Sequence, residues 1–367
     1  MDYLQDLKKI CKINSFTGNK KGVDEVVSIM TKWMETLDFK TEVFQREYIG
    51  NHILFKSPKI DGEKILLLGH NDTVFPEGQF DSYHEDDTWV YGPGVCDMKG
   101  GNIVALEALK SIYEKNKKIE NIDFFLVSDE ETGSDDSKFV TLELAKNYDY
   151  CFVFEAAGEN LEVVTGRKGV GTYTITIEGK ASHAGVRYSD GINANLEASY
   201  KLQELTKLTN LQIGTTVNVG RITGGIGANT ISPKCELLLE LRYTKTTEKQ
   251  RLLKALEDIT NTSYVEGTTA TLDGLIQRDV MEPNGNQIEL ISRLENITGY
   301  KIHTEQRGGV SDANHVASCG VITLDGFGPF GDGDHTIHER ALKSSFIQRI
   351  DMMTKILESH QAKNCRL

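Results

Sequence analysis

The chain has no basic excess, no apolar stretch long enough to span a bilayer, no CxxC pair, and no repeated or low-complexity segment. Each absence removes a class of function. Lys and Arg number 41 against 54 Asp and Glu, and the formal net charge of -13 opposes binding to nucleic acid or to an anionic membrane surface. An anionic substrate therefore needs arginines placed locally. The N-terminal stretch MDYLQDLKKICKI mixes acids with its bases and lacks the apolar core of a signal peptide, so the expectation is a cytoplasmic protein. Six cysteines (Cys11, Cys96, Cys151, Cys235, Cys319 and Cys365) lie far apart, which suits reduced, mostly buried thiols and neither a disulfide framework nor a cysteine-zinc site. Cys96 and Cys151 read as packing residues.

What is present is organised as two domains, as a length of 367 residues suggests. Strand and helix signals alternate up to about residue 167. Val23, Val26, Val27, Met30 and Met34 recur at helical spacing, and NIVALEALKSIY, residues 102–113, does the same. The pattern then changes to TYTITIEGK (strand), INANLEASYKLQEL (helix), TTVNVG and CELLLELRY (strands), EKQRLLKALEDIT (helix) and TTATLDG (strand). That βαββαβ order is the split unit of ferredoxin-like domains. From about residue 280 the alternation resumes, with ITLDGF as a strand and HERALKSSFIQRIDMMTKILESH as a long terminal helix. The expected fold is α/β: a catalytic domain of residues 1–167 and 280–367, interrupted by an inserted α+β domain of residues 168–279.

Five potential metal ligands are spread through the first of these domains: His70, Asp97, Glu131, Glu155 and His335. Three stand at or just beyond the end of a short apolar run, in KILLLGHND, IDFFLVSDEE and CFVFE, and open α/β sheets bind ligands beyond the carboxyl ends of their strands. Asp97 and His335 come from the Gly-rich segments GPGVCDMKGG and GDGDHTIHE. Alternate residues of an extended segment share a face, so Asp72 is placed to take the second ring N–H of His70 and fix its metal-binding tautomer. Each piece alone has a plainer explanation. Asp97 also reads as a helix cap, and Glu130-Glu131 as a solvated acidic turn with Asp129, Asp135 and Asp136. Taken together, three carboxylates and two neutral histidines leave two divalent cations one charge short of neutrality, which a bridging hydroxide supplies. Zn²⁺ is the first choice for such ligands, and Co²⁺ or Mn²⁺ also suit them.

In this order along the chain, GHNDTV, GPGVCDMKGG, SDEETGS, VFEAA, GKASHAG, NTISP followed by ELRY, GGVSDAN and DHTIHE resemble the M20 family of metallopeptidases, and within it glutamate carboxypeptidases of the G2 type. The resemblance runs from about residue 65 to 340. It implies a zinc-exopeptidase-like catalytic domain with a dimerisation (lid) insert, and two zinc ions held by His70, Asp97, Glu131, Glu155 and His335 with Asp97 bridging. It further implies Glu130 as general base, Asp72 as orienting acid, and His183 stabilising the oxyanion in the partner subunit of a homodimer. Asn229 and Arg242 match residues that hold the substrate carboxylate, Gly309 belongs to a pocket-lining backbone loop, and Arg278 is a candidate for an acidic side chain. As isolated residues, His183 reads as a turn histidine and Arg242 as a surface partner of Glu240. The family's N-x-I-P turn is altered to Asn229-Thr230-Ile231-Ser232-Pro233. His335 is chosen over His338 because His335-Thr336 with Glu339 downstream fits the family's H-[ST] pattern.

The expected activity is zinc-dependent hydrolysis of the amide bond to a C-terminal amino acid, glutamate first, in a small peptide. Two alternatives stand beside it: an N-acyl-amino-acid deacylase with the same metal centre, and a non-catalytic metal-stabilised binding dimer. Retention of Glu130 weighs against the last, since a structural zinc site needs no free base.

Overall fold

The computed structural model describes residues 3–362 and 367, so Cys365 lies outside the described residues. The chain divides into two compact units. The first comprises Met1–Thr165, Pro283–Arg307 and Ser311–Leu367; the second comprises Gly166–Glu282 and Gly308–Val310.

The first unit is built on a six-stranded sheet. Its strands are β1 (Lys40–Phe44), β2 (His52–Lys56), β3 (Ile65–His70), β4 (Ile122–Val127), β5 (Tyr150–Val153) and the late strand Ile322–Leu324, in the order β1-β2-β4-β3-β5 followed by Ile322–Leu324. β3 pairs in parallel with β4 and β5, while β1 and β2 form an antiparallel margin. Every residue of β3, β4 and β5 is buried, as continuous apolar runs in a sheet covered on both faces require. Each fully buried Leu, Ile or Phe there contributes about 1.5–3 kcal/mol of transfer free energy.

The helix Lys20–Glu35 starts where the Asn19 side chain accepts a hydrogen bond from Gly22 N, and it buries Val23, Val26, Val27, Met30 and Met34, the stripe expected from spacing. Lys99–Asn116 packs against the terminal helix Lys343–Ala362. That terminal helix begins later than its periodicity suggested. Arg340–Leu342 form a short strand paired with Trp89–Tyr91, which draws the segment after His338 into a sheet before the helix can start. Among the described residues, no helix is long and apolar enough to cross a membrane.

The second unit holds β6 (Gly169–Glu178), the helix Ala194–Lys207, β7 (Thr216–Gly224), β8 (Lys234–Tyr243), the helix Thr246–Asn261 and β9 (Thr269–Arg278). Its sheet order, β7-β8-β6-β9, is antiparallel throughout and is the ferredoxin-like arrangement of a split βαββαβ unit. β8 alternates cleanly. Cys235, Leu237, Leu239, Leu241 and Tyr243 are buried with Ile175, Ile177, Leu252 and Leu256, leaving Glu240 and Arg242 together on the opposite face.

Candidate metal centre

Each ligand candidate of the first unit reaches its place for a local reason. His70 is the last residue of β3 and is 1% exposed. The preceding Gly69 allows the helix Lys99–Asn116 to approach, because a Cβ there would stand 2.1 Å from Asn102 Oδ1. Asn102 Nδ2 in turn donates to the His70 carbonyl at 2.7 Å. Glu131 lies in the single turn Glu130–Thr132 that follows β4, and Glu155 stands two residues past β5. The acidic segment around Glu131 is folded by Asp129, whose Oδ2 accepts from Asp136 N and Ser137 N at 2.9 and 3.2 Å.

Asp97 is presented by a loop in which Gly94 is left-handed, with φ +79°. The helix that follows seats against the end of β5, where a Cβ at Gly101 would lie 1.9 Å from the Phe154 carbonyl oxygen. The loop is closed by a residue to which sequence reading gave no role. Glu339, 1% exposed, accepts hydrogen bonds from Gly94 N, Cys96 N and Asp97 N at 3.0, 3.0 and 3.1 Å. It therefore ties the Asp97 loop to the segment that carries His335. Its place downstream of His335-Thr336 marks the family pattern, but nothing in that spacing shows the clamp, since its partners are backbone amides far away in sequence. His335 is in the left-handed region at φ 61°, in a turn with Gly333 at φ 74°; both it and His338 are exposed, and it is His335 that lies against Asp97 and Glu131.

The side chains converge. His70 Nε2 lies 3.2 Å from Asp97 Oδ1 and 3.9 Å from Glu155 Oε1. His335 Nε2 lies 3.3 Å from Asp97 Oδ2 and 3.1 Å from Glu131 Oε2. Asp72 turns Oδ1 toward His70 Nδ1 at 3.4 Å, and its carbonyl oxygen is 3.0 Å from the same nitrogen, two acceptors that favour the proton on Nδ1 and would leave Nε2 free to bind a cation. Asp72 Oδ2 also accepts from Glu131 N at 3.2 Å.

Electrostatically the cluster demands more positive charge than its histidines carry. Burial, then the charge of Asp97, pushes the Glu131 carboxyl up to about 8 and raises that of Glu155 as well. Hydrogen bonds to Asp97 and Glu131 push His335 up to about 11. At His70 burial favours the neutral ring, but bonds to Asp72 and Asp97 outweigh it and raise the group. At Asp97 burial is likewise overcome, by the two histidines, and the carboxyl is lowered. The donor set fits divalent cations: in each of the groups His70-Asp97-Glu131 and His70-Glu130-Glu155, one ligand atom per residue lies within 4.8 Å of the others. Cys96 and Cys151 are buried and their thiols are raised by that burial, which keeps them protonated packing groups.

The remaining site candidates belong to the second unit. His183 and Asn229 are exposed on adjoining loops, where His183 bridges Thr230 and Ala184 N donates to the Asn229 carbonyl at 2.9 Å. Arg242 makes a two-pronged pair with Glu240, Nε to Oε1 at 2.7 Å and Nη2 to Oε2 at 3.2 Å, while its Nη1 donates to the Gly308 carbonyl at 2.9 Å. Arg167, unremarked in the sequence, donates to the Gly309 carbonyl at 3.2 Å. Arg278 ends β9 and is 3% exposed.

Known proteins resemble this chain in sequence and in fold. Carboxypeptidase G2 of Pseudomonas sp. is 26% identical over 358 residues, covering 94% of this chain and 86% of that protein. Acetylornithine deacetylase of Vibrio campbellii is 30% identical over 240 residues, 61% of each chain. The crystal structure of aminopeptidase PepT from Bacillus cereus superposes with a TM-score of 0.78 at 21% identity, covering 97% of both chains, which establishes the shared fold. Residues 66–359 match the model of peptidase family M20/M25/M40, and the chain belongs to that family.

Proposed function

We propose that this protein is a di-metal hydrolase that cleaves the amide bond to a C-terminal amino acid, with glutamate the first substrate to try. One observation carries the reading: the two carboxylate oxygens of Asp97 face two different histidines, each with its own further carboxylate. His70, Asp97 and Glu155 would hold one ion, and His335, Asp97 and Glu131 the other, zinc being the first choice. Ions so held polarise a scissile carbonyl and lower the pKa of water. Glu130 shares the cluster with His70 and Glu155 and is the base that takes a proton from the attacking water and delivers it to the leaving nitrogen. Asp72 keeps the proton on His70 Nδ1. Likeness to the family supports the second unit as a dimerisation and lid domain whose His183 steadies the oxyanion of the partner, with Asn229, Arg242, Gly309 and Arg278 toward the substrate. The five described cysteines are free thiols, which suits a cytoplasmic protein.

A second reading, deacylation of N-acyl amino acids, draws on the likeness to acetylornithine deacetylase. Hydrolysis assayed over glutamyl peptides and N-acetyl amino acids, with bound metal measured on the same sample, separates the two. No turnover of any member by metal-loaded protein overturns both.

A further inference from the structure

The turn that precedes the helix Lys20–Glu35 lies outside the family match, yet it reaches the metal centre. Residues 15–17 run parallel to the segment after His70: Thr73 N donates to the Ser15 carbonyl at 2.9 Å, Thr17 N donates to the Thr73 carbonyl at 3.2 Å, and Phe16 and Thr73 form a parallel bridge. Asn14 Nδ2 adds a bond to the Phe75 carbonyl at 3.0 Å. The fully buried Lys99 fixes the chain just upstream, its Nζ donating to the Ile10 and Ile13 carbonyls at 3.1 and 3.0 Å.

This pinned turn places Thr17 Oγ1 2.7 Å from Asp72 Oδ2, with Thr17 3% and Asp72 0% exposed. The same oxygen receives Glu131 N at 3.2 Å, while Oδ1 faces His70 Nδ1 at 3.4 Å. A carboxylate whose one oxygen is held by two donors in a dry site cannot swing about its terminal torsion, so its other oxygen keeps a fixed aim.

We infer that Thr17 is a positioning residue of the metal centre: its hydroxyl locks the Asp72 carboxylate so that this one acid orients both the His70 ring and the backbone of Glu131. The inference rests on the reading that His70 and Glu131 hold metal. A buried threonine also fills space, and only the hydroxyl distinguishes the two roles.

The test uses the full chain, stripped with a chelator and titrated with Zn²⁺ against a chelating dye, and with Co²⁺ while the visible spectrum is recorded. Thr17→Val keeps the shape without the donor, and Thr17→Ser keeps the donor. Groups that orient a metal ligand typically contribute 10–100-fold to affinity, so Thr17→Val should weaken at least one binding step by about tenfold or more and alter the Co²⁺ spectrum, with Thr17→Ser within about threefold of wild type. Wild-type affinity and spectrum in folded Thr17→Val overturn the inference, as does a Thr17→Ser variant as weak as Thr17→Val, which would assign the effect to packing. If Thr17→Val does not fold, Thr17→Cys, with a much weaker donor in similar volume, carries the same expectation and the same refutation. Wild-type protein that takes up no metal overturns this inference together with the reading beneath it, so the two failures are told apart.

Discussion

Asp97 faces His70 with one oxygen and His335 with the other, at 3.2 and 3.3 Å. A carboxylate so shared cannot be lost without affecting both halves of the cluster, whereas Glu131 and Glu155 each serve one. Asp97→Ala is therefore expected to retain no more than trace metal after dialysis, while Glu131→Ala keeps about one ion of two. Metal content per chain checks this. Equal losses in the two variants would contradict the assignment of Asp97 as the shared ligand.

Glu130→Gln should keep both ions and the affinity for substrate but lose most turnover, because the amide preserves shape while removing the base. General acid-base steps are typically worth about 10²–10⁴-fold in rate. The measurement is kcat beside metal content, and a variant with near wild-type kcat would remove Glu130 from the chemistry.

Glu339 accepts three backbone amides while buried, and the amide side chain of Gln offers a single acceptor oxygen in its place. At least one N–H of the Asp97 loop is then left unsatisfied, at a cost of about 1–3 kcal/mol. Glu339→Gln should lower the urea midpoint accordingly and weaken metal binding, whereas an unchanged midpoint would show that the loop holds without this clamp.

Much of the architecture was legible in the sequence because the pattern and the packing obey the same period. The runs ILLL, IDFFLV and YCFV sit in fully buried strands, and Val23 to Met34 form the buried stripe of one helix. The short strand Arg340–Leu342 was hidden inside a helical periodicity, because its pairing with Trp89–Tyr91 is a tertiary fact. In the site, strand-end ligands announce themselves by position and type. Glu339 and Thr17 act on backbone amides and on a carboxylate remote in sequence, and such bonds leave no periodic trace. The same holds for the bond from Arg167 to the Gly309 carbonyl oxygen.

His360 is fully buried on the terminal helix, with Nε2 3.0 Å from the Glu63 carbonyl oxygen, and burial lowers its pKa below 6.5 even though that carbonyl opposes the shift. The folded form therefore binds this proton less readily than the unfolded form. Stability from this group is fully present above the unfolded pKa, about 6.5, and declines as pH falls toward the folded value, by at most about 1.4 kcal/mol per pH unit. Urea unfolding near neutrality and again at about one unit below 6.5 should show His360→Gln losing less stability over the interval than wild type. An identical loss in both would clear His360 of any part in acid sensitivity.

His183→Ala and Glu130→Gln should each be nearly inactive as pure homodimers. After verified subunit exchange, a heterodimer would contain one site with both residues intact and recover up to about half the wild-type activity if the sites are independent. No recovery would place His183 in cis or outside the reaction, and a monomer at assay concentration would discard action in trans.

The ligands gathered around Asp97 come from positions 70 to 335, and all of Gly166–Glu282 lies between Glu155 and His335. The centre is therefore complete only when the chain has closed on itself around the whole second unit, a long loop whose closure costs entropy but grows only slowly with length. Ions that bind this closed form and not the open chain add stability by mass action. Depleting metal should thus lower resistance to unfolding in proportion to the logarithm of free metal concentration, and residence of metal on the protein becomes a direct report on whether the first unit has assembled from its three stretches of chain.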